Sequence, residues 1–273
     1  MRVAPLILPD SGPLPAAPPP AAPPPAARHW ACGVASLDAA LGGGFAQGRV
    51  HEFYAASEAD AGAVRGLAVG IAAGMAGSDR NVLWLRCSRT LGQAGVLQAS
   101  GWNDLGGMPG QLLLGIVPDA LGLLRAAADA LRSAAPGLVV IEGWGRMAEL
   151  DLTASRRLAL AAERSGVPLL LLRIDAQPVP SAAQTRWQVA AAPSHALPGQ
   201  APGAPTFDLV LLRQRAGPCG LDWRLEWHRD QCKFREAPLP GAVVPVPAGR
   251  PLADRAGREP GGGMDAGPVR SAA

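Results

Sequence analysis

Lysine is almost missing from this chain. Lys233 is the only one, so arginine supplies 24 of the 25 basic residues. Aromatic residues make up 4% of the chain, yet seven of the twelve are tryptophan. The four cysteines, Cys32, Cys87, Cys219 and Cys232, form no CxxC pair, which argues against a disulfide framework. Cys219, His228 and Cys232 lie close together, but their spacing matches no zinc pattern. No apolar run is expected to reach the ~18 residues of a membrane span. Leu6-Ile7-Leu8 is too short for the apolar core of a signal peptide. These absences predict a cytoplasmic protein with no membrane partner, no cofactor and no metal.

What is present lies mostly in the middle of the 273 residues. Ten prolines fall between Pro5 and Pro25 and seven between Pro238 and Pro268. Proline fixes φ and removes a donor, so neither end can hold a helix or central strand. The expected organisation is a disordered Ala/Pro-rich tail over 1–27, a folded domain over 28–236 and a disordered Pro/Gly-rich tail over 237–273. The net charge of +3 is only mildly basic. The positions of the arginines therefore inform more than their total.

Within the domain, apolar strand candidates alternate with helices. Strands are expected at 49–53, 82–86, 112–117, 138–142 and 167–174, with shorter ones at 185–190, 207–212, 222–227 and 232–235. Helical potential covers 59–76. A helix or turn is expected near 91–100, and helices at 119–134 and 153–165. Asp119 and Asp151 or Thr153 are the caps, and Pro136-Gly137 and Gly166 the stops. Leu121, Leu124, Ala128 and Leu131 share one face of the helix that follows Asp119. Continuous apolar strands alternating with helices predict a parallel sheet covered on both faces. The helix-free later connections predict an antiparallel extension.

The most specific stretch is Gly33 to Phe45, with Ser36-Leu37-Asp38 and Gly42-Gly43-Gly44, followed by Gly48-Arg49-Val50-His51-Glu52-Phe53-Tyr54. It resembles the start of a RecA-type core, which implies an α/β fold with a mostly parallel sheet flanked by helices. In that family a phosphate loop reading GxxxxGK[ST] comes next. Here the segment runs Ala55-Ala56-Ser57-Glu58-Ala59-Asp60-Ala61-Gly62-Ala63-Val64-Arg65 and contains no GK[ST]. Glu58 and Asp60 place negative charge where a triphosphate would sit. At 4 Å and an effective dielectric near 20, each such contact would cost about 4 kcal/mol. The family's catalytic Glu has no counterpart near Ser88. Its metal-side Asp is replaced by Glu142, one methylene longer. Ser57, Glu58, Gly62, Arg65 and Glu142 thus outline a degenerate nucleotide site. A divergent ATPase using Arg65 and Glu142 is the alternative reading.

The segments Asp151–Glu163, Gly166–Arg173, Ser181–Ala191 and Trp223–Trp227 are together similar to ImuA, the RecA-like accessory family of bacterial damage-induced mutagenesis. The resemblance covers about residues 29–236. It implies a non-catalytic role in translesion synthesis during the SOS response. The implied partners are an ImuB-like inactive Y-family polymerase homologue, indirectly an error-prone DnaE-type polymerase, and RecA. It also leaves room for weak DNA binding and for a SulA-like role in blocking cell division. The RecA comparison places DNA-facing loops at 143–152 and 175–184. The candidate DNA or partner contacts are Arg146, Arg156, Arg157, Arg164, Arg186, Trp187, Arg213 and Arg215. Trp84 and Trp144 read as core, or as filling an empty nucleotide site. Trp223 and Trp227, four apart in a strand, point to the same face, as core or as a partner anchor.

Overall fold

The computed structural model describes residues 28–95 and 97–237. Apart from Ala237, the two proline-rich ends lie outside the described residues. The domain opens with a short ribbon, β1 (His29–Trp30) paired antiparallel with β2 (Phe45–Ala46). Between them α1 (Ala35–Ala40) carries the Ser-Leu-Asp motif. Asp38 explains the motif. Its carboxylate accepts from the backbone N–H of Cys32 (2.8 Å) and Gly33 (3.1 Å), and its carbonyl accepts from Gly43 (2.7 Å). The turn that follows needs glycine at Gly44, where φ is +110° and a Cβ would collide with the Trp30 carbonyl.

The remaining nine strands form one sheet: β3 (Val50–Ala55), β4 (Val82–Cys87), β5 (Leu112–Val117), β6 (Leu138–Trp144), β7 (Leu169–Ile174), β8 (Thr185–Ala191), β9 (Thr206–Gln214), β10 (Leu221–His228) and β11 (Lys233–Glu236). Their spatial order is β11-β10-β9-β8-β3-β7-β6-β4-β5. β3 to β8 are mutually parallel where they pair, and β9 to β11 are antiparallel. This is an α/β core with a mostly parallel sheet flanked by helices and an antiparallel C-terminal extension, as the sequence leads one to expect. One expectation is corrected. β8 belongs to the parallel set, because residues 175–184 carry the chain across β3 without a helix and return it in the same direction.

Helices cover both faces. On one side α2 (Ala61–Ala76), preceded by a 3₁₀ turn at Glu58–Asp60, packs with Val64, Leu67, Ile71, Trp84, Val140, Leu172 and Trp187. On the other, α5 (Ala120–Ser133) and α6 (Leu152–Ser165) pack over Leu85, Val139, Ile141, Leu169 and Leu171. This double cover explains why all of β7 and nearly all of β6 are buried, and why their sequences are almost unbroken apolar runs. The expected 91–100 element is two short helices, α3 (Leu91–Ala94) and α4 (Ala99–Asp104). Asp119 caps α5 by accepting from Gly122 N–H (2.8 Å), and Asp151 caps α6 through Ala154 N–H (2.7 Å). Gly166 ends α6 in the left-handed conformation. The buried face of α5 is Leu123, Leu124, Ala127 and Leu131, not the expected line through Leu121 and Ala128.

α2 has glycine at every fourth position: Gly62, Gly66, Gly70 and Gly74. The stripe lets aromatic rings reach the helix axis. Phe207 lies 3.4 Å from where a Gly66 Cβ would be, Trp227 lies 2.9 Å from that of Gly70, and the Trp30 ring occupies the place of a Gly74 Cβ. Contrary to the expectation that no apolar run is long enough, residues 58–76 form a helical stretch long and apolar enough, by length and composition only, to cross a membrane. Here 61% of that window is buried inside the protein.

Candidate functional site

β3 delivers the chain to Ala55–Asp60, the segment where the sequence resemblance leads one to expect a phosphate loop, and this segment is fastened to the end of β8. Ala56 N–H donates to the Val189 carbonyl (2.8 Å), and Ala191 N–H donates to Asp60 Oδ1 (2.8 Å). Ser57 Oγ donates to Asp60 Oδ2 (2.6 Å). A phosphate loop aims its donors at an anion. Here the Asp60 carboxylate itself stands at the N-terminus of α2, where the helix dipole favours negative charge, and takes its hydrogen bonds from the Ser57 hydroxyl and Ala191 N–H. Partial burial opposes the Asp60 charge, but the hydrogen bonds from Ser57 and Ala191 outweigh it and hold the carboxyl below its usual range. Ser57, Glu58 and Gly62 are all exposed. Gly62 borders a shallow cavity of about 400 Å³ shared with Ala191, Gly203 and Phe207.

Arg65 and Glu142 do come together. Arg65 reaches from α2 to the end of β6, where Glu142 is 1% exposed. Glu142 Oε1 accepts from Arg65 Nη2 (2.8 Å), Arg65 Nε (3.1 Å), Arg86 Nη2 (3.3 Å) and Trp144 Nε1 (3.2 Å). Oε2 accepts from Trp84 Nε1 (3.2 Å). The Arg65 guanidinium also lies 5.6 Å from the Trp144 ring centroid. Five donor contacts from four side chains therefore converge on the one carboxylate near the end of β6. Arg86 completes this node and was not among the expected site residues. Its signal is legible in hindsight, since a lone charge inside the apolar strand Val-Leu-Trp-Leu-Arg-Cys needs a partner.

A second buried ionic group lies on the opposite face of the sheet. Arg186 pairs with Glu52 (2.9 Å) and also donates to Ser181 Oγ (2.8 Å) and the Val179 carbonyl. Arg173, 3% exposed, donates to the Gly145 carbonyl (3.2 Å). Both guanidiniums lie over the Tyr54 ring, at 5.7 and 5.8 Å. Burial, reinforced by Glu52, raises the Tyr54 hydroxyl above its usual value. These contacts tie the two loops expected to face DNA to the core from beneath.

The candidate contact residues do not form one patch. Arg156, Arg157 and Arg164 are exposed on α6, and Arg146 on the loop before it. Arg213 donates to the Ser181 carbonyl (3.3 Å) and Arg215 is exposed at the end of the β8–β9 pair. Two candidates are corrected. Arg186 is held by Glu52 and the 175–184 loop. Trp187 is fully buried, stacked on Phe53 at 6.5 Å between centroids, and its indole N–H donates to Thr185 Oγ1 (2.8 Å). Trp227 is also core, with its N–H on the Leu105 carbonyl (2.9 Å), and Trp223 is half-buried beside Trp187. Among the described residues, no group of three or more His, Cys, Asp or Glu side chains is placed to hold a metal ion.

No protein-family model matches this chain, and no curated protein matches it. Among solved structures, the crystal structure of the RadB recombinase aligns at TM-score 0.45 and 16% identity, over 77% of this chain and 100% of that one.

Proposed function

We propose that this chain is a RecA-like accessory factor of damage-induced mutagenic translesion synthesis that works without turning over nucleotide. The observation that carries the nucleotide-free part is the saturation of Glu142. A carboxylate that holds Mg²⁺ beside a triphosphate needs free lone pairs and a cationic neighbour free to meet the phosphates. Here Arg65, the only cation on α2, is spent on Glu142 itself. Asp60 adds a fixed negative charge at the helix N-terminus. Both features suit a fold kept for its surfaces rather than for hydrolysis.

The translesion role and its partners rest on the ImuA-like segments in the sequence. The partner expected to bind directly is an ImuB-like polymerase homologue, with RecA as a second. DNA contact would come from exposed arginines such as Arg146 and Arg156, and would be weak and steeply salt-dependent. Two measurements test the proposal. Titration with a fluorescent ATP analogue and Mg²⁺ should show no saturable binding up to about 1 mM. Co-purification with an ImuB-like protein from damaged cells should give a stoichiometric complex. ATP turnover that disappears in Arg65→Ala would replace the proposal with the divergent-ATPase reading.

A further inference from the structure

The face of the sheet opposite Glu142 carries a surface that the nucleotide-site reading does not use. The apolar stripe of α5 is wider than the sheet can cover. Leu123, Leu124, Ala127 and Leu131 turn toward the sheet, whereas Leu121 remains 44% exposed and Ala128 half-buried. α6 behaves the same way, burying Leu158 and Ala162 while Leu160 stays 51% exposed. Leu121, Ala128 and Leu160 line one open cleft of about 1180 Å³ between the two helices. Both helices return the chain between parallel strands, so they run side by side in the same direction. Each has 14 residues, which gives the cleft a length of about 21 Å.

Arginines rim this apolar floor. Arg125 from α5 and Arg157 and Arg164 from α6 line it, and all three are exposed. Among the described residues, none of the three has a carboxylate within ion-pair distance. The helices' own acids are engaged elsewhere: Asp129 with Arg132 (2.7 Å) and Glu163 with Arg49 (3.1 Å). Arg164 sits in a last helical turn, where a cation offsets the helix dipole. Arg125 and Arg157 are mid-helix, where that explanation does not apply. Glu149 and Asp151 stand at the end of the cleft formed by the helix N-termini, so the charge along it is graded. A phosphate backbone would gain nothing from exposed leucines and would be repelled at that end.

We propose that the α5–α6 cleft docks an amphipathic helix of a protein partner. Long aliphatic side chains spaced three and four apart would enter the floor, and Asp or Glu between them would meet Arg125, Arg157 and Arg164. The cleft accommodates three to four turns of such a helix. This inference is independent of the state of the nucleotide site, which lies across the sheet.

The test is selection of a displayed library of random 16-residue peptides on the full chain. The expected enrichment is for Leu, Ile, Met or Phe at helical spacing with interleaved Asp and Glu. A fluorescein-labelled enriched peptide should bind in solution and weaken about tenfold or more in Leu160→Asp and in Arg157→Glu. Both are surface substitutions, and circular dichroism confirms that the fold survives. Arg229→Glu, on the exposed turn before β11, should leave binding unchanged. Three results would overturn the proposal: no enrichment over an unrelated folded control, enrichment without helical period or acids, or binding indifferent to both cleft variants. A fourth would reassign the surface. Displacement of the peptide by a single-stranded 20-mer, with DNA binding lost in Arg157→Glu, would give the arginines to nucleic acid.

Discussion

Replacing Glu142 by alanine removes one carboxylate and strands the donors gathered on it. Arg86 is the most exposed to the consequence. Its side chain is 3% accessible, and without Glu142 it keeps only the bond from Nη1 to the Gly95 carbonyl (2.9 Å). Leaving one member of a buried ion pair uncompensated costs about 3–5 kcal/mol. The Trp84 indole, also fully buried, loses its acceptor as well, for about 1 kcal/mol. Arg65 and Trp144 lie nearer the surface and regain water, so they add little. The expected loss is therefore about 5 kcal/mol. With a urea m-value of about 2.5 kcal/mol/M, the unfolding midpoint would fall by about 2 M. Arg65→Ala should cost much less, about 1 kcal/mol, because Glu142 then still has Arg86 and both indoles. The double replacement Arg86→Met with Glu142→Leu should lie within about 1 kcal/mol of the parent, since an apolar pair removes both buried charges together. The assay is urea unfolding followed by far-UV circular dichroism and tryptophan fluorescence. A Glu142→Ala cost below 1 kcal/mol would refute the reasoning. So would an Arg65→Ala cost above that of Glu142→Ala.

Three further outcomes are expected. His51 is fully buried, donating from Nε2 to the Ala46 carbonyl (2.9 Å) and accepting at Nδ1 from Thr185 (2.7 Å); burial holds its pKa at about 4 against 6.5 unfolded. Above pH 6.5 it is neutral in both states. As the pH falls from 6.5 to about 4 only the unfolded chain takes up the proton, so stability should drop by about 3 kcal/mol over that window, and His51→Gln should flatten the slope in chemical denaturation at stepped pH. Gly74→Ala should destabilise by about 3 kcal/mol or more, because a methyl group there enters the Trp30 ring, whereas Gly62→Ala, with nothing near its Cβ, should be neutral or stabilising by about 1 kcal/mol; thermal melts distinguish the two. In thiol alkylation followed by mass spectrometry, exposed Cys219 should react quickly, while Cys32, buried and with its thiol pushed up to about 12, should stay unmodified until the chain unfolds.

Local chemistry was readable in the chain, and long-range pairing was not. Asp119, Asp151 and Gly166 mark helix ends because a cap is decided within four residues, and the structure uses all three. The apolar runs of β6 and β7 announce a doubly covered sheet for the same reason. The face that α5 turns to the sheet was misjudged because its apolar stripe is too wide to fix one orientation. β8 was assigned to the antiparallel extension because helix-free connections usually join antiparallel neighbours, and the crossing of β3 leaves no local signature. Arg65 and Glu142 each stand out in the sequence, but nothing local marks them as each other's partners. They are 77 residues apart, one on α2 and one on β6, and Arg86 enters from a third element, β4. Trp187 and Arg186 read as contacts from residue type alone, and only the sheet shows that the core takes one and Glu52 the other.

The glycine stripe of α2 bears on the order in which the chain can fold. Each glycine weakens an isolated helix by about 1 kcal/mol relative to alanine, so α2 has little tendency to form by itself. The rings that reward its formation are Phe207, Trp227 and Trp30, two of them from strands more than 130 residues downstream. The helix at the heart of the domain must therefore wait for nearly the last residues of the fold to be synthesised. A nascent chain ending before β10 would have Trp30 to set against Gly74 but would lack the Trp227 ring that lies against Gly70. Such a chain should stay unfolded and susceptible to protease until residues 221–236 emerge, then close in a single cooperative step.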